Sequence, residues 1–199
     1  MKNYITTSLL LLLFACTTLL GQSNYQIESG EITIKGTSNI HDWESTNSAI
    51  TVNGNFLTND SQLKNIQQLK VVIPVKKIIS SKGSIMDKKT WKALKYQDHP
   101  NITYTLTEIQ SIENNGQNFL IKASGNLTIA GHTNPIELTA TANFKTNRTI
   151  EIRGEKALKM TDFKVDPPTA LLGTLTTGDD VTIEYNIVLT ENSNISSAN

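Results

Sequence analysis

Apolar and polar residues alternate with a period of two in six segments of this chain, and this is the pattern of β-strands with one dry and one wet face. The clearest segments cover residues 119–129, 136–145 and 181–190. Short polar turns such as Asn114-Asn115-Gly116 separate successive strands. Since such turns join antiparallel neighbours, the pattern predicts an up-and-down meander of strands.

The dry faces of these strands carry several small side chains. A meander must hide its dry faces in a sandwich or in a closed barrel. Six of the inward positions are too small to fill the middle of a wide barrel: Gly54, Ala123, Gly125, Ala140, Ala142 and Gly154. We therefore expect a partly hollow barrel with an apolar lining, and such a space suits an apolar ligand.

One segment departs from the strand pattern and predicts a helix over residues 85–96. Ser84 and Asp87 have the spacing of a capping box, in which each side chain bonds the backbone amide of the other residue. The residues that follow are mostly good helix formers. Met86 and Trp91 share one broad stripe, so we expect the helix to close a mouth of the barrel as a lid.

The first 21 residues have the features of a secretory signal peptide. A short positive start precedes a long apolar stretch and then polar residues, so cleavage is expected after Gly21. Cys16 lies in a sequence that resembles a bacterial lipoprotein cleavage box, whose cysteine is acylated. We favour ordinary cleavage, because Phe14 is bulky for that box and the apolar run continues past Cys16. The protein is therefore expected to be periplasmic or secreted.

Composition narrows the function of the remaining chain. Residues 22–190 are long enough for one domain, no transmembrane segment is expected in them, and the polar residues 191–199 are expected to be a disordered tail. The only cysteine leaves with the signal peptide, which excludes thiol catalysis and thiolate metal sites. The 18 basic and 18 acidic residues balance. Without a basic excess, nucleic acid is not an expected partner.

Histidines and acidic residues are the candidates for catalysis. His41, His99 and His132 each lie near a predicted turn and could together hold zinc or iron. No spacing places two of them on one face, so we favour structural roles and expect no metal. A hydrolase could use His41, Asp42 and His99, but the chain has no G-x-S-x-G elbow. We therefore expect a protein that is not an enzyme.

A group of lysines surrounds the start of the predicted helix: Lys76, Lys77, Lys82, Lys88 and Lys89. The ordinary interpretation is a solvated rim, where most lysines are found. The alternative is a ring around the cavity mouth that favours an anionic head group. The sequence leaves both open.

A set of short motifs occurs in a specific order along the chain: GTSNIHDW at 36–43, PVK at 74–76, GSIMDKKTWKAL at 83–94, HPNI at 99–102, GNLTIAGHT at 125–133, MTDF at 160–163 and PPT at 167–169. In this order and spacing they resemble the YceI-like family of bacterial periplasmic proteins. The resemblance extends over residues 25–189.

The resemblance implies a fold and a ligand. Members of the family have a lipocalin-like, antiparallel eight-stranded barrel with an elongated cavity that binds polyisoprenoid-type lipids, and they have no established catalytic residues. The resemblance also implies that the helix near Met86 and the turn at 38–43 lie close to the ligand. Together with the residue pattern, it predicts an all-β fold, namely a single up-and-down barrel of eight strands with an apolar cavity and one short helix.

We therefore expect a periplasmic carrier for a polyisoprenoid or an isoprenoid-quinone-like amphiphile, with no cofactor other than this lipid. The ligand is expected to touch inward and mouth residues: Trp43, Phe56, Met86, Trp91, Tyr104, Leu106, Phe119, Leu127, Phe144, Phe163 and Tyr185. Two alternatives stay open, a lipid-modifying or metal-assisted hydrolase and a structural barrel with a filled core. The sequence also leaves open whether two barrels pair as a homodimer.

Overall fold

The computed structural model describes residues 22–59, 61–116, 118–146, 148–170 and 173–192. The predicted signal peptide with Cys16 lies outside these residues, and so does most of the predicted tail, residues 193–199. Within the described ranges, no helix has both the length and the apolar composition needed to cross a membrane.

Eleven strands and one α-helix make up most of the described chain. The strands are β1 (Gln22–Ser38), β2 (Trp43–Asn47), β3 (Thr51–Asn59), β4 (Gln62–Pro74), β5 (Ile79–Ser80), β6 (Asn101–Asn114), β7 (Phe119–Ile129), β8 (His132–Thr146), β9 (Thr149–Lys159), β10 (Thr169–Ala170) and β11 (Leu175–Glu191). The helix α1 spans Ser84–Ala93, and short 3-10 helices span Val75–Lys77 and Met160–Phe163.

Eight of these strands close into an antiparallel barrel. The order around it is β3, β4, β6, β7, β8, β9, β11 and β1, and β1 pairs again with β3. β2 continues beyond β3 along the same edge of β1, where it pairs with residues 32–36. The short strands β5 and β10 extend β2 and β11. The predicted antiparallel up-and-down barrel of eight strands is therefore confirmed.

Two of the barrel ladders are incomplete among the described residues. β4 and β6 pair only through residues 70–74 and 101–105, and the two strands diverge beyond them. The ladder between β8 and β9 ends at Thr139, which is paired with Glu155. Beyond it the 3-10 helix after β9 lies against β8, where Asn134 Nδ2 donates to the Asp162 carbonyl oxygen at 2.8 Å. The barrel wall is therefore less continuous at these two seams than elsewhere.

Helix α1 is shorter than predicted and begins differently. It ends at Ala93 rather than near residue 96, because Lys95 takes a left-handed φ of 52°, which an α-helix cannot continue. Gly83 is the N-cap, and no side chain caps the helix. The predicted capping box was therefore wrong. Asp87 instead accepts a hydrogen bond from the Ser80 amide at 2.6 Å, which ties the buried side of α1 to β5.

Buried apolar side chains form two clusters along the barrel. The cluster farther from α1 includes the floor, which we define as Tyr25, Phe56, Leu63, Phe119, Ala142, Ile150 and Leu189 with the half-buried Phe144 packed against them. Its rings are in contact, with 4.9 Å between the centroids of Tyr25 and Phe56 and 5.9 Å between those of Phe119 and Phe144. The mouth cluster lies below α1: Val75, Ile78, Ile102, Ala130, Phe163 and Val165, with Trp91, Leu94 and Tyr96 packed against it.

Candidate ligand cavity

Two apolar cavities follow one another through the barrel. The mouth cavity, of about 110 Å³, lies under α1, and the central cavity, of about 160 Å³, lies between the mouth cavity and the floor. Leu158 and Ile183 line both, so the two spaces adjoin at these side chains. For comparison, an apolar cavity of about 150 Å³ stays dry and can hold a benzene-sized molecule. Together the two cavities form an elongated space suited to a thin, linear guest.

The mouth cavity is walled by side chains from α1, from the first strands and from the segment after β9. Trp43, Met86 and Phe163 all line it. The position of Trp43 depends on Gly36, because a Cβ added to Gly36 would overlap the indole ring. Trp43 Nε1 also donates to the Thr37 carbonyl oxygen at 3.0 Å. The indole is therefore held against β1 at the entrance to the barrel.

Lysines of the α1 region join the two sides of the mouth. Lys89 Nζ donates to the Thr169 carbonyl oxygen at 3.0 Å, and Lys95 Nζ donates to the Lys164 carbonyl oxygen at 3.4 Å. Both acceptors lie in the segment that follows the second 3-10 helix. Because these hydrogen bonds are exposed, each is worth about 1 kcal/mol or less. These two hydrogen bonds across the mouth are therefore weak.

The aromatic end of α1 is anchored from below. Trp91 Nε1 donates to the Ile78 carbonyl oxygen at 2.9 Å, and its ring meets the edge of Tyr96 with 6.4 Å between centroids. Lys76 Nζ lies 5.0 Å from the centroid of Tyr96, within range of a cation–π interaction. These contacts fix the helix end as a cover over the mouth cluster.

The central cavity is lined almost wholly by aliphatic side chains from all eight barrel strands. Only three of its lining residues carry a polar atom in the side chain: Tyr104, Lys156 and Tyr185. The floor closes this cavity at the end away from α1, where Phe56, Ile150 and Leu189 are fully buried. The central cavity is therefore an apolar space that is closed by the floor at one end and adjoins the mouth cavity under α1 at the other.

The small inward residues do not all create the hollow, and that part of the sequence interpretation was wrong. Ala123 and Ala140 line the central cavity, as expected. A Cβ on Gly125 would overlap the Tyr104 ring, and a Cβ on Gly154 would overlap the Tyr185 ring. These two glycines therefore make room for the rings of neighbouring tyrosines and do not leave empty space. Two others also line neither cavity: Ala142 is buried in the floor, and Gly54 makes room for the Leu69 side chain.

The eleven predicted ligand-contacting residues fall into two groups in the structure. Seven line a cavity: Trp43, Met86 and Phe163 at the mouth, and Tyr104, Leu106, Leu127 and Tyr185 in the centre. The other four line neither: Phe56, Phe119 and Phe144 belong to the floor, and Trp91 lies beside the mouth cavity. Ligand contact itself stays a prediction for all eleven.

The sequence interpretation did not include Lys156 or Leu158 in the site. The signal was present, because the inward alternation of Ile150, Ile152 and Gly154 continues to Lys156 and Leu158. The small inward residues named from the sequence include Gly154, but no residue beyond it on this strand. Lys156 is therefore a charged residue on an inward register position of β9.

Burial controls the acidity of the two cavity tyrosines. Desolvation raises the pKa of Tyr104 to about 12. Desolvation also raises the pKa of Tyr185 to about 12, and the proximity of Tyr104 adds to the shift. The Tyr185 hydroxyl donates to the Thr139 carbonyl oxygen at 3.3 Å, whereas the Tyr104 hydroxyl has no partner among the described residues. Both hydroxyls therefore remain hydrogen-bond donors at neutral pH.

The histidines do not form a shared site in the described part of the chain. No group of three or more His, Cys, Asp or Glu residues there has the arrangement of a metal site. His41 is exposed, and its Nδ1 lies 3.0 Å from the Asp42 carbonyl oxygen of its own turn. The His99 ring lies against Gly131, where a Cβ would meet it. Both rings therefore have local contacts in turns.

The sequence matches the family described as the YceI-like domain over residues 25–189, which is most of the chain. The chain belongs to the YceI-like family. No curated protein is similar enough in sequence to count as a match.

Solved structures of YceI-like and related proteins have the same fold as this YceI-like protein. A polyisoprenoid-binding domain from Saccharophagus degradans, implicated in plant cell wall breakdown, superposes with a TM-score of 0.66 at 11% identity, with 84% of this chain and 98% of that chain covered. BcnA of Burkholderia cenocepacia gives a TM-score of 0.63 at 16% identity, with coverage of 80% and 95%. The YceI protein of Campylobacter jejuni gives 0.56 at 21% identity, with coverage of 72% and 81%.

Proposed function

We propose that this YceI-like protein is a periplasmic carrier that holds the chain of a polyisoprenoid or an isoprenoid-quinone-like lipid inside its barrel. The observation that carries the proposal is the pair of adjoining apolar cavities, which run from α1 to the floor. The polyisoprenoid-binding domain from Saccharophagus degradans, which has the same fold, supports the choice of ligand.

The energetics of burial suit a carrier of this kind. Removing about ten methylene groups from water contributes roughly 8 kcal/mol before the costs of ordering the chain are subtracted. A single exposed hydrogen bond contributes about 1 kcal/mol. Affinity for a long apolar chain therefore comes mainly from the aliphatic lining, and the weak contacts of the mouth leave loading and release possible.

The charge of the α1 region supports an anionic surface or head group near the mouth. Residues 75–96 contain seven of the 18 Lys and Arg residues and one of the 18 Asp and Glu residues. The local net charge is therefore +6, and the rest of the chain carries the opposite net charge. Clustered lysines attract phosphate-bearing groups, particularly at low ionic strength.

Solvent extraction and reloading test the proposed function. Protein purified from its native compartment is extracted with organic solvent and analysed by mass spectrometry, and delipidated protein is offered an isoprenoid. Ala140→Phe fills the central cavity and is expected to abolish uptake. Ala157→Phe is the matched control, because Ala157 is exposed on the outer face of the same barrel. The proposal fails if no lipid is recovered and the wild-type protein takes up none.

Export is tested separately from binding. Expression of the full chain in a bacterial host and N-terminal sequencing of the periplasmic fraction should give a mature chain that begins at Gln22. Mass spectrometry of the same material should show no acyl group. An acylated N-terminal Cys16 would replace the soluble carrier with a membrane-anchored one.

A further inference from the structure

The outer face of α1 presents one apolar residue among lysines. Residues three and four apart lie on the same face of an α-helix, so four side chains share this face: Ile85, Lys88, Lys89 and Lys92. Ile85 is 73% exposed, more than any other large apolar side chain among the described residues. Lys88 and Lys92 are also exposed. A basic helix face with an exposed apolar residue is typical of helices that lie on a membrane surface.

The opposite face of α1 covers the mouth cavity. Four of its residues line that cavity: Met86, Thr90, Ala93 and Leu94. Asp87 is also on the buried side, where it accepts a hydrogen bond from the Ser80 amide. The helix is therefore the layer that separates the mouth cavity from whatever the outer face of α1 meets.

Exposed large apolar side chains are confined to the α1 end of the barrel in the described part of the chain. There are three of them: Ile40, Ile79 and Ile85. Ile79 lies in β5, shortly before α1, and Ile40 lies three residues before Trp43, which lines the mouth cavity. Isolated exposed apolar residues are normal on a protein surface, but a random distribution would also place some on the long outer walls of the barrel. Their restriction to one end indicates an interaction surface there.

The charge on the α1 side of the mouth is positive. Residues 75–96 contain seven lysines and one acidic residue, the buried Asp87, and Asp98 follows beyond the helix. Acidic residues gather instead on the opposite side of the mouth: Asp162, Asp166, Asp179 and Asp180. Of these, Asp180 is paired with Lys159 at 2.7 Å. An anionic surface that approaches the mouth end is therefore attracted to the α1 side.

We propose that the outer face of α1 docks on a bilayer that contains anionic phospholipids, with Ile85 at the level of the head groups and Lys88 and Lys92 against the phosphates. This inference rests on the proposed function and adds the surface at which the carrier loads and delivers its lipid. In this orientation only the thickness of α1 separates the mouth cavity from the membrane. A lipid then passes between bilayer and barrel with little exposure to water.

Electrostatic attraction supplies most of the affinity in this arrangement. Each lysine near an anionic membrane surface strengthens binding roughly fivefold, and salt weakens the attraction by screening it. Interfacial binding also grows with the apolar area that is buried, and a single isoleucine buries little. Docking should therefore be reversible and should require anionic lipid.

Sedimentation of delipidated protein with vesicles tests the inference. Vesicles of phosphatidylcholine alone are compared with vesicles that contain roughly 30% phosphatidylglycerol. The wild-type protein should bind the anionic vesicles about tenfold more tightly or better, and the difference should shrink at high salt. Lys88→Glu combined with Lys92→Glu should weaken binding to the anionic vesicles by about tenfold or more. Ile85→Ser should weaken it several-fold.

Matched variants show whether the effect belongs to this face. Lys64→Glu combined with Lys122→Glu reverses the same charge at exposed positions of β4 and β7 and should change binding by less than about twofold. Ile40→Ser removes another exposed isoleucine, in a turn that carries Asp42, and should have less effect than Ile85→Ser. All these side chains are exposed, so the melting temperatures should stay close to that of the wild type.

Three outcomes overturn the inference: equal binding to both kinds of vesicle, binding to neither, or equal losses in the two double lysine variants. Uptake of an isoprenoid from detergent solution, measured on the same wild-type protein, separates this failure from that of the carrier function. Uptake without vesicle docking leaves the carrier function standing and removes the docking surface. Docking without uptake keeps the surface and removes the carrier function.

Discussion

The two ends of this barrel are built in opposite ways from the same kinds of residue. In the floor, aromatic rings pack against one another, and Phe56, Ile150 and Leu189 are fully buried. Phe119 lines neither cavity. The α1 end surrounds a cavity of about 110 Å³ and is closed by exposed hydrogen bonds from lysines. Stability is therefore concentrated at the floor, and access to the interior is concentrated at the mouth.

The largest expected effect on stability is at the floor. Phe56→Ala removes a ring that is 0% exposed and that contacts Tyr25, so it should lower the free energy of unfolding by about 3–5 kcal/mol. Met86→Ala is the comparison at the mouth, where Met86 is only half-buried beside a cavity. It should cost less than about 1 kcal/mol. Urea denaturation of both variants measures the difference, and equal losses would contradict the division between the two ends.

Adding volume should distinguish the floor from the tunnel in the same way. Ala142 is 1% exposed in the floor, so Ala142→Phe should destabilise the protein by about 1–3 kcal/mol through overpacking. Ala140 lies two residues earlier on β8 and lines the central cavity. Ala140→Phe should therefore change stability by less than about 1 kcal/mol while it displaces ligand. Calorimetry on delipidated samples compares them, and a large loss in Ala140→Phe would mean that the cavity is not available to a guest.

The alternation of residues predicted the barrel because a closed antiparallel sheet depends mainly on period two and on short turns. The strand pattern placed Ile183, Tyr185 and Ile187 on one inward face, and the ladder confirms their register. On β9, the alternation continued two residues past Gly154 leads to Lys156. A strand pattern therefore predicts well which face of the sheet a residue lies on. It predicts less well at which residue the inward face ends.

The positions of the cavities depend on long-range packing and were harder to predict. Nothing in the sequence near Gly125 shows that the ring of Tyr104, which is distant in the chain, covers it. Similarly, Phe119 and Phe144 were grouped with the tunnel because their strand positions face inward, but they meet each other in the floor. Whether an inward residue lines a cavity or packs in the floor depends on where its side chain lies along the barrel axis, and not only on its inward face. The early end of α1 followed from the backbone of Lys95, which helix propensity does not reveal.

Alkaline pH should weaken the central region through its tyrosines. The pKa of Tyr104 and of Tyr185 is raised from 10 to about 12 by burial, so the folded state favours the neutral phenols. The stability that results is fully present below pH 10 and is lost as pH rises through 12. Tyr104→Phe combined with Tyr185→Phe should therefore show a weaker loss of stability between pH 10 and 12 than wild type. Denaturant midpoints measured across this range test it, and parallel curves would contradict the assignment.

The smallest effect on stability, but a clear effect on kinetics, is expected at the mouth. Lys89→Met combined with Lys95→Met removes the two hydrogen bonds to the Thr169 and Lys164 carbonyl oxygens. Because these contacts are exposed, their loss should cost less than about 1 kcal/mol in unfolding. Opening of the mouth should become easier, so exchange of a bound fluorescent lipid should accelerate several-fold in stopped-flow experiments. Lys122→Met is the control for the loss of a surface charge, since Lys122 is exposed on β7 away from α1. Unchanged exchange in the double variant would mean that lipid passes through another part of the wall, and the seam where β4 and β6 diverge would then be the next place to restrain.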